Sequence, residues 1–506
     1  MTAGQVLLVA VLVLPALGAT VVAALPRRVE HGARTVGVGF AAAAFLTSLL
    51  LLPGPDRYGW FAAGPAPAVQ PWHAVQLDWV PGLDLQFHIG VDGISYPLVV
   101  LTTLLTLLCA LYTRWRAPAG GRGRTLVALL LVIEVGILGT FLALDLVLFF
   151  IFFEVVLLPM WAVIAFWGGD DRRRAARKFA LYTLLGSVLL LVGVFTVVTA
   201  AGTADIVALS NGDLLTRGTQ LVAFSFLALA FAVKSPLWPL HTWLPDAHTE
   251  APTVGSVILA GVLLKMGTYG LIRIGVGVTP EGVAWAAPVL GVLAVAAILI
   301  GALVCLAQTE LKRLIAYSSV GHMGFVLLGV ATLSAAGIQA ALIGNIAHGL
   351  ITGLLFFLVG AVKDRTHTGD LTALSGLRER APALAGLLGF AAIASLGLPG
   401  LAGFWGELFA VVAAVQEGGA LWLVLGIVAA LGAAVTAAYF LRLLRRVTHG
   451  EPSPAVAAAA PAQLTRIELV TWSPLVLLIV AIGVMPALVL AMAYDPVAAL
   501  VAGVGR

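Results

Sequence analysis

Residues 230–273 read AFAVKSPLWPLHTWLPDAHTEAPTVGSVILAGVLLKMGTYGLIR and combine three features of a membrane protein with many spans. Lys234 stands directly before Pro236 and Pro239, Lys265 lies inside an uninterrupted apolar stretch, and each stretch is long enough to cross a bilayer. Proline removes a backbone donor and breaks a helix. The segment therefore predicts a discontinuous helix followed by a continuous one, with both lysines at membrane depth.

The rest of the chain has the same apolar character. Of its 506 residues, 61% are hydrophobic and 10% are charged, and the mean hydropathy is +1.07. A soluble domain carries about 25% charged residues, so the composition excludes a water-soluble fold. The net charge is +4 and the basic residues lie in short loops, so nucleic acid is not expected as a partner.

Apolar runs of helical length predict an all-α polytopic membrane protein with about fourteen transmembrane helices. The predicted spans, numbered 1 to 14, are 3–25, 33–53, 92–113, 124–144, 146–167, 177–200, 218–247, 253–276, 283–308, 311–332, 335–362, 383–416, 419–446 and 470–494. Spans 7 and 12 are longer than one crossing and contain internal Pro and Gly, which predicts two broken helices.

Two segments are predicted to lie outside the hydrocarbon. The segment 54–91 contains Trp60, Trp72 and Trp79 and an alternating apolar pattern, which predicts an interfacial loop with a short hairpin. The segment 201–216 is predicted to be a loop beyond the membrane core.

Broken helices five spans apart predict an inverted repeat, because an odd offset reverses the direction of the chain through the membrane. The predicted divisions are 1–123 with spans 1–3, a first five-helix repeat at 124–276 (spans 4–8), a second at 277–446 (spans 9–13), and a C-terminal span within 447–506. Of the 28 Lys and Arg residues, 22 fall in loops after odd-numbered spans and 4, Arg273 among them, on the side of the termini. The positive-inside rule places both termini away from the cytoplasm.

Ionisable residues inside spans indicate function, because a charge near the bilayer centre is costly. Five such residues lie in spans 4, 5, 7, 8 and 12: Glu134, Glu154, Lys234, Lys265 and Glu407. Burial disfavours their charged forms, and a neighbouring opposite charge restores them. This combination suits a proton relay. The alternative is a set of static ion pairs that hold the helices together.

Histidines extend this polar set. His322 and His348 lie among small residues in spans 10 and 11, where a neutral imidazole either connects two halves of a relay or packs with a hydrogen bond. Haem ligation by this pair is not expected. The chain contains no cysteine cluster, Walker loop or strand-based GxGxxG, so it is expected to carry out no redox or nucleotide chemistry itself.

Two further polar sites are interpreted as structural. His241, Asp246, His248 and Glu250 follow the break in span 7, and we interpret them as part of a helix-breaking, hydrogen-bonded turn rather than a metal site. Asp145 lies at the tight turn between spans 4 and 5, where it is predicted to cap a helix.

The segment 230–273 resembles the antiporter-like subunit family of respiratory complex I, and three more motifs share the resemblance: FFEVVLLPM at 152–160, LKRLIAYSSVGHMGF at 311–325 and LPGLAGFWGE at 398–407. The resemblance covers nearly the whole chain. It implies a subunit of the membrane arm in the bacterial cytoplasmic membrane, beside L-type and N-type siblings. It also implies that flavin, iron–sulfur clusters and quinone belong to partner subunits and that this chain holds no cofactor or metal.

The resemblance also implies roles for individual residues. Glu154 pairs with Lys234, Lys265 carries the path inward, and Glu407 ends it, with the two span histidines in the central polar axis. Glutamate at position 407, where L-type, N-type and sodium/proton antiporter relatives have lysine, favours the M-type branch, and so does a chain that stops shortly after span 14.

We therefore expect a proton-translocating subunit of NADH:quinone oxidoreductase, a translocase driven by quinone reduction in other subunits. Three alternatives remain open at this point. The chain could belong to a multi-subunit sodium/proton antiporter, to a hydrogenase-linked membrane complex, or to the membrane arm as a structural spacer that conducts no protons.

Overall fold

The computed structural model describes residues 1–52, 69–80, 85–116, 121–459 and 464–504. Residues 54–68, Trp60 among them, and 81–84 of the predicted interfacial segment 54–91 lie outside these residues. The chain begins with α1 (Ala3–Ala24), a 3-10 turn at Arg27–Val29 and α2 (Glu30–Leu49). Strands β1 (His73–Val80) and β2 (Leu85–Val91) then pair antiparallel, with His73 opposite Val91, which confirms the predicted hairpin.

The helices of the first half follow in chain order. They are α3 (Tyr96–Trp115), α4 (Gly123–Leu142), α5 (Leu146–Val155), α6 (Leu157–Trp167), α7 (Arg172–Ala201), α8 (Ile206–Asn211), α9 (Arg217–Lys234), α10 (Trp243–Glu250), α11 (Thr253–Ile258) and α12 (Lys265–Gly270). Two π-helical stretches, Leu259–Leu263 and Leu271–Val276, make α11 and α12 parts of one continuous span.

The second half continues the bundle to residue 504. Its helices are α13 (Pro280–Ala307), α14 (Leu311–Ala331), α15 (Ala335–Thr366), α16 (Leu377–Arg380), α17 (Pro382–Ser395), α18 (Ala402–Gln416), α19 (Gly419–Thr448), α20 (Pro454–Ala458), α21 (Arg466–Val484) and α22 (Ala487–Ala502). Within the described residues, thirteen helices are long and apolar enough to cross a membrane. The pair α17 and α18 covers the remaining predicted span.

The two predicted broken helices are confirmed. Span 7 divides into α9 and α10, with residues 235–242 between them, and span 12 divides into α17 and α18, with residues 396–401 between them. Pro236 and Pro239 lack the backbone donors needed to continue the first helix, and Gly397 and Gly400 adopt φ of +78° and +90°, which favours glycine.

Four details differ from the sequence-based prediction. Span 5 is interrupted at Val156, because Pro159 cannot donate to the carbonyl four residues earlier. Span 8 contains the two π-helical stretches. The predicted loop 201–216 contains α8. The predicted span 470–494 is present as α21 but has other bounds: α21 ends at Val484, and a separate helix, α22, begins after Pro486.

The helices that carry the site lie at the centre of the bundle. Every residue in the most apolar 18-residue window of span 8 is buried, and α14 and α15 are buried almost as completely. Outer helices such as α7 instead expose leucines, among them Leu181, Leu184 and Leu185. An apolar outer surface around a polar centre is the arrangement that a bilayer requires.

Two short backbone bridges tie loops together, one in each half of the chain. Asp145, before α5, pairs antiparallel with Asp205, before α8, and Glu310, before α14, pairs antiparallel with Asp370, before α16. Both bridges use main-chain hydrogen bonds of 2.7–2.9 Å. Asp145 and Glu310 also cap the helices that follow them, so the cap predicted for Asp145 is confirmed.

The hairpin is attached to the first bridge through a charged contact. The Nδ1 atom of His88 on β2 lies 2.8 Å from a carboxylate oxygen of Asp205. Burial alone would raise the pKa of Asp205, but the hydrogen bonds from His88 and from the Ala208 N–H outweigh it and hold that pKa below its ordinary value. The carboxylate form of Asp205 therefore stabilises the attachment.

The lowered pKa of Asp205 predicts how the attachment responds to acid. The contribution of the Asp205 carboxylate to the stability of the hairpin attachment is complete above the ordinary aspartate pKa of about 3.9. It is lost as the pH falls through the lower pKa that Asp205 has in the folded protein. We expect hydrogen-exchange protection factors of the hairpin amides to stay constant from about pH 7 to 5 and then to fall.

Two variants test this prediction at neutral pH. Asp205→Asn should lower hairpin protection roughly tenfold, the size of one charged hydrogen bond. Asp213→Asn, in the exposed part of the same loop, should leave it unchanged. Equal protection in Asp205→Asn and the unsubstituted protein would contradict the assignment.

Candidate functional site

Lys265 and His348 make a direct contact at the centre of the bundle. The Lys265 ammonium nitrogen lies 2.6 Å from His348 Nδ1 and donates a 2.5 Å hydrogen bond to the carbonyl of Ala260. Both side chains are buried. Ala260 lies in the π-helical stretch that ends two residues before Lys265. A π-helix pairs backbone groups five residues apart instead of four, and the carbonyl of Ala260, five residues before Lys265, lies within reach of the ammonium group.

His322 and Glu407 form the second contact. His322 Nδ1 lies 2.8 Å from Glu407 Oε1, and His322 Nε2 lies 2.9 Å from the hydroxyl of Ser395. Helices α15 and α18 pack closely beside Glu407, since a Cβ on Gly406 would lie 2.6 Å from the Cα of Gly344. This close approach brings the Glu407 carboxylate within reach of His322. Glycine is required at this crossing for steric reasons.

The two contacts join into one line. The rings of His322 and His348 lie 5.9 Å apart between centroids, and a cavity of about 30 Å³ is lined by both rings together with Ser395 and Glu407. A cavity of this size has room for a water molecule, which could bond to the polar groups on its wall. The order in space is Lys265, His348, His322, Glu407, so the two histidines follow the reverse of their order in the sequence.

Lys234 lies at the last residue of α9, where span 7 breaks. Its ammonium nitrogen sits 4.4 Å from the centre of the Phe153 ring, a cation–π contact. The expected pairing with Glu154 is not formed in this conformation: no contact within 4 Å joins the two side chains. Glu154 instead faces Ser187 on α7, and its buried Oε1 has no hydrogen-bond partner among the described residues.

Glu134 stands apart from the line. It is completely buried in α4, and neither carboxyl oxygen has a hydrogen-bond partner in the described part of the chain. Burying an ionised carboxylate without a partner is costly. The structure therefore brings four of the seven predicted site residues into contact and leaves Glu134, Glu154 and Lys234 outside those contacts.

The prediction of a hydrogen-bonded turn after the break is wrong for His248. This residue lies in α10, is completely buried, and stacks on Phe356 with the ring centroids 4.6 Å apart. Neither ring nitrogen has a partner among the described residues, and Lys265 and His348 lie within electrostatic range. His248 is visible in the sequence seven residues after His241. The direction in which its side chain points depends on the residue at which α10 begins after the break in span 7, and this could not be predicted.

The other polar residues of this segment make peripheral contacts. Asp246 forms ion pairs with Lys178 at 2.7 Å and with Arg313 at 3.3 Å. Glu250 accepts a 3.0 Å hydrogen bond from the backbone N–H of Asp171. These contacts hold α10 against α7 and α14 at one end of the bundle.

A buried ion pair was missed by the sequence analysis. Arg273, assigned there to a loop, lies in the second π-helical stretch and binds both carboxylate oxygens of Asp92 at 2.6 and 2.7 Å. Both side chains are buried. Arg273 Nε also donates to the hydroxyl of Tyr269, which donates to the carbonyl of Phe141. The pair joins the end of the hairpin to span 8 and α4.

A polytopic bundle with two broken helices and a buried line of lysine, histidine and glutamate defines an antiporter-like membrane subunit. Residues 143–432 match the family described as NADH:quinone oxidoreductase/Mrp antiporter, TM, and the chain belongs to this family. It is a multi-pass membrane protein.

Relatives of known name extend over almost the full length. The chain is 40% identical to NADH-quinone oxidoreductase subunit M of Rhodobacter capsulatus, over 98% of this chain and 96% of that protein. It is 38% identical to NAD(P)H-quinone oxidoreductase chain 4 3 of Trichormus variabilis, over 95% and 89% of the two chains. These similarities confirm the family resemblance inferred from the sequence motifs.

Solved structures agree in fold. A chain of respiratory complex I from Thermus thermophilus with bound NADH superposes with a TM-score of 0.84 at 30% identity, covering 99% of both chains. A chain of the Mrp complex from Dietzia sp. DQ12-45-1b superposes with a TM-score of 0.83 at 23% identity, covering 100% of both chains, and this likeness concerns the fold alone. The predicted all-α polytopic fold is confirmed.

Proposed function

We propose that this chain is the proton-translocating M-type subunit of a bacterial NADH:quinone oxidoreductase. The observation that carries the proposal is the buried line from Lys265 through His348 and His322 to Glu407, with contacts of 2.6 and 2.8 Å at its two ends. Each member can hold or release a proton, and the bundle excludes bulk water around them. The names of the relatives in Rhodobacter and Trichormus support the same assignment.

The proposed path begins at Lys234 and ends at Glu407. A Glu154 carboxylate within about 4 Å of Lys234 would stabilise its ammonium by roughly 4 kcal/mol at an effective dielectric near 20. Withdrawal of that carboxylate, as in the conformation described here, frees a proton to move toward Lys265. His248 lies within electrostatic range of Lys265 and is proposed as a further member of this path. Glu134 is proposed to adjust the first half of the path.

The redox chemistry of the complex is proposed to lie elsewhere. Flavin, iron–sulfur clusters and quinone belong in this proposal to partner subunits, and L-type and N-type siblings lie beside this chain in the membrane arm. The enzyme is a translocase, and this subunit contributes its membrane path. Quinone reduction would act on the path by changing the distances between charged groups.

The internal repeat is proposed with the divisions 124–276 and 277–446, between an N-terminal part at 1–123 and a C-terminal part at 447–506. Two features support it. Both predicted repeats contain one broken helix, and each contains one backbone bridge at an equivalent position. The distribution of Lys and Arg supports placing both termini on the non-cytoplasmic side, in the bacterial cytoplasmic membrane.

Gentle extraction of the tagged chain from its membrane tests the assignment. Mass spectrometry should find flavin and iron–sulfur subunits in the same particle, and the reconstituted particle should acidify or alkalinise vesicles only when NADH and quinone are supplied. Recovery of membrane partners alone, with sodium-dependent proton exchange in the absence of NADH, would replace this proposal with the antiporter alternative.

A further inference from the structure

The imidazole of His322 is held from both sides by the two halves of one broken helix. Ser395 is the last residue of α17, and its hydroxyl lies 2.9 Å from Nε2. Glu407 lies in the second turn of α18, and its carboxylate lies 2.8 Å from Nδ1. The ring of Phe440 faces the imidazole at 6.3 Å between centroids, with 26° between the two planes. Both nitrogens therefore have one defined partner each.

The two partners differ in what they can do. An ionised carboxylate only accepts hydrogen bonds, whereas a serine hydroxyl both donates and accepts. A neutral imidazole has one N–H and one bare nitrogen. If Glu407 is ionised, the N–H must point at Glu407 from Nδ1, and the bare Nε2 must receive the Ser395 hydroxyl proton.

We propose that Ser395 is a positioning residue for His322, holding its neutral ring in the tautomer protonated at Nδ1 and reversing its own hydrogen bond when the ring takes up a second proton at Nε2. The inference rests on the proposed function and deepens it, since it assigns an entry nitrogen and an exit nitrogen to the central histidine.

The proton balance of this step is simple. A proton arriving from the cavity shared with His348 binds the lone pair of Nε2, and the Ser395 hydroxyl turns from donor to acceptor. The Nδ1 proton then passes to Glu407 Oε1 and leaves a neutral ring with its proton on Nε2. One proton has entered at Nε2 and one has reached Glu407. No other atom of the ring changes its partner.

Ser395 is suited to this task by its position. It is buried, and its hydroxyl makes no other hydrogen bond among the described residues, so rotation between donor and acceptor breaks no competing contact. Ser318 and Ser319, one turn before His322 on α14, instead donate to the carbonyl of Ile315 on their own helix. Nearness to His322 alone therefore does not make a buried serine bond to the imidazole.

Solid-state ¹⁵N spectroscopy of the histidine-labelled complex tests the tautomer without perturbing the site. The difference between spectra of the unsubstituted complex and of His322→Gln isolates the two nitrogen signals of His322. We expect a protonated Nδ1 and a bare Nε2 in the resting complex. A resting ring protonated at Nε2 would overturn the inference, and this measurement stands even where a serine variant fails to assemble.

Variants of Ser395 test the consequence for transport in the reconstituted complex. Ser395→Ala leaves Nε2 without its donor and should slow NADH-driven proton translocation roughly tenfold, with the Nε2-protonated form appearing in the spectrum. Ser395→Thr keeps the hydroxyl and should restore both readouts. Ser319→Ala is the matched control and should pump at the unsubstituted rate.

The outcomes separate this inference from the proposed function. Unaltered pumping and an unaltered His322 spectrum in Ser395→Ala would overturn the role of Ser395, while loss of pumping in Lys265→Met would keep the proposed function. Full pumping in Lys265→Met would overturn the proposed function itself, whatever Ser395→Ala shows.

Discussion

Lys265→Met is expected to stop nearly all NADH-driven proton translocation through this subunit of the assembled complex. Methionine fills a similar volume but can neither hold a proton nor reach His348 with a donor. A positioned side chain that transfers protons contributes about 10²-fold or more to a rate, so translocation through this path should fall by at least roughly a hundredfold. Proton uptake by proteoliposomes, measured beside NADH:quinone reduction, gives the result directly.

Two further variants distinguish loss of proton transfer from loss of folding. Lys265→Arg keeps a charge at the site and should assemble normally. Thr268→Val removes a buried hydroxyl that donates a hydrogen bond to Asn345 and lies in the same helix as Lys265. This variant should pump at close to the unsubstituted rate. If Thr268→Val and Lys265→Met lose pumping equally, disturbed packing of span 8 rather than the lysine explains both.

Arg273→Met is expected to produce the largest loss of stability. It leaves Asp92 as a buried carboxylate without its partner, and breaking such a pair from one side costs about 3–5 kcal/mol. Asp92 also accepts the N–H groups of Ile94 and Ser95 at the start of α3, so its distortion should spread to that helix. Thermal unfolding of the purified complex, followed by the release of this chain, measures the effect.

Two controls define the origin of that loss. The double variant Asp92→Asn with Arg273→Met removes both charges and should recover most of the stability. Arg217→Met breaks a pair with Glu281 at 3.6 Å in which both side chains are exposed, and it should cost less than about 1 kcal/mol. A double variant no more stable than Arg273→Met would show that packing, and not the charge, holds this region.

Much of the fold was predictable because its signals are local. Apolar runs and interrupting prolines depend only on neighbouring residues, so the spans and both broken helices could be predicted from the sequence. The predicted helix bounds differ from the structure at places where one proline interrupts or ends a helix. Pro486 ends α21 early, and Pro159 interrupts span 5, although both prolines were visible in the sequence.

The contacts of the site were harder to predict, since they depend on how helices approach one another. Lys265 and Glu407 stand out as charges in apolar spans, but the spatial order of His348 and His322 does not follow from their order in the chain. Ser395 lies among apolar and glycine residues, where a lone serine commonly bonds to its own helix backbone and gives no signal of a role. Its role becomes visible only when α14 and the end of α17 are seen together.

The two matched bridges at Asp145–Asp205 and Glu310–Asp370 have a consequence for access to the membrane interior. Each bridge holds two loops of one half together at one end of the bundle. If the halves run in opposite directions, the tied ends lie at opposite surfaces. The loops that the two bridges hold closed then face different compartments, so the two halves differ in which surface of the membrane they close.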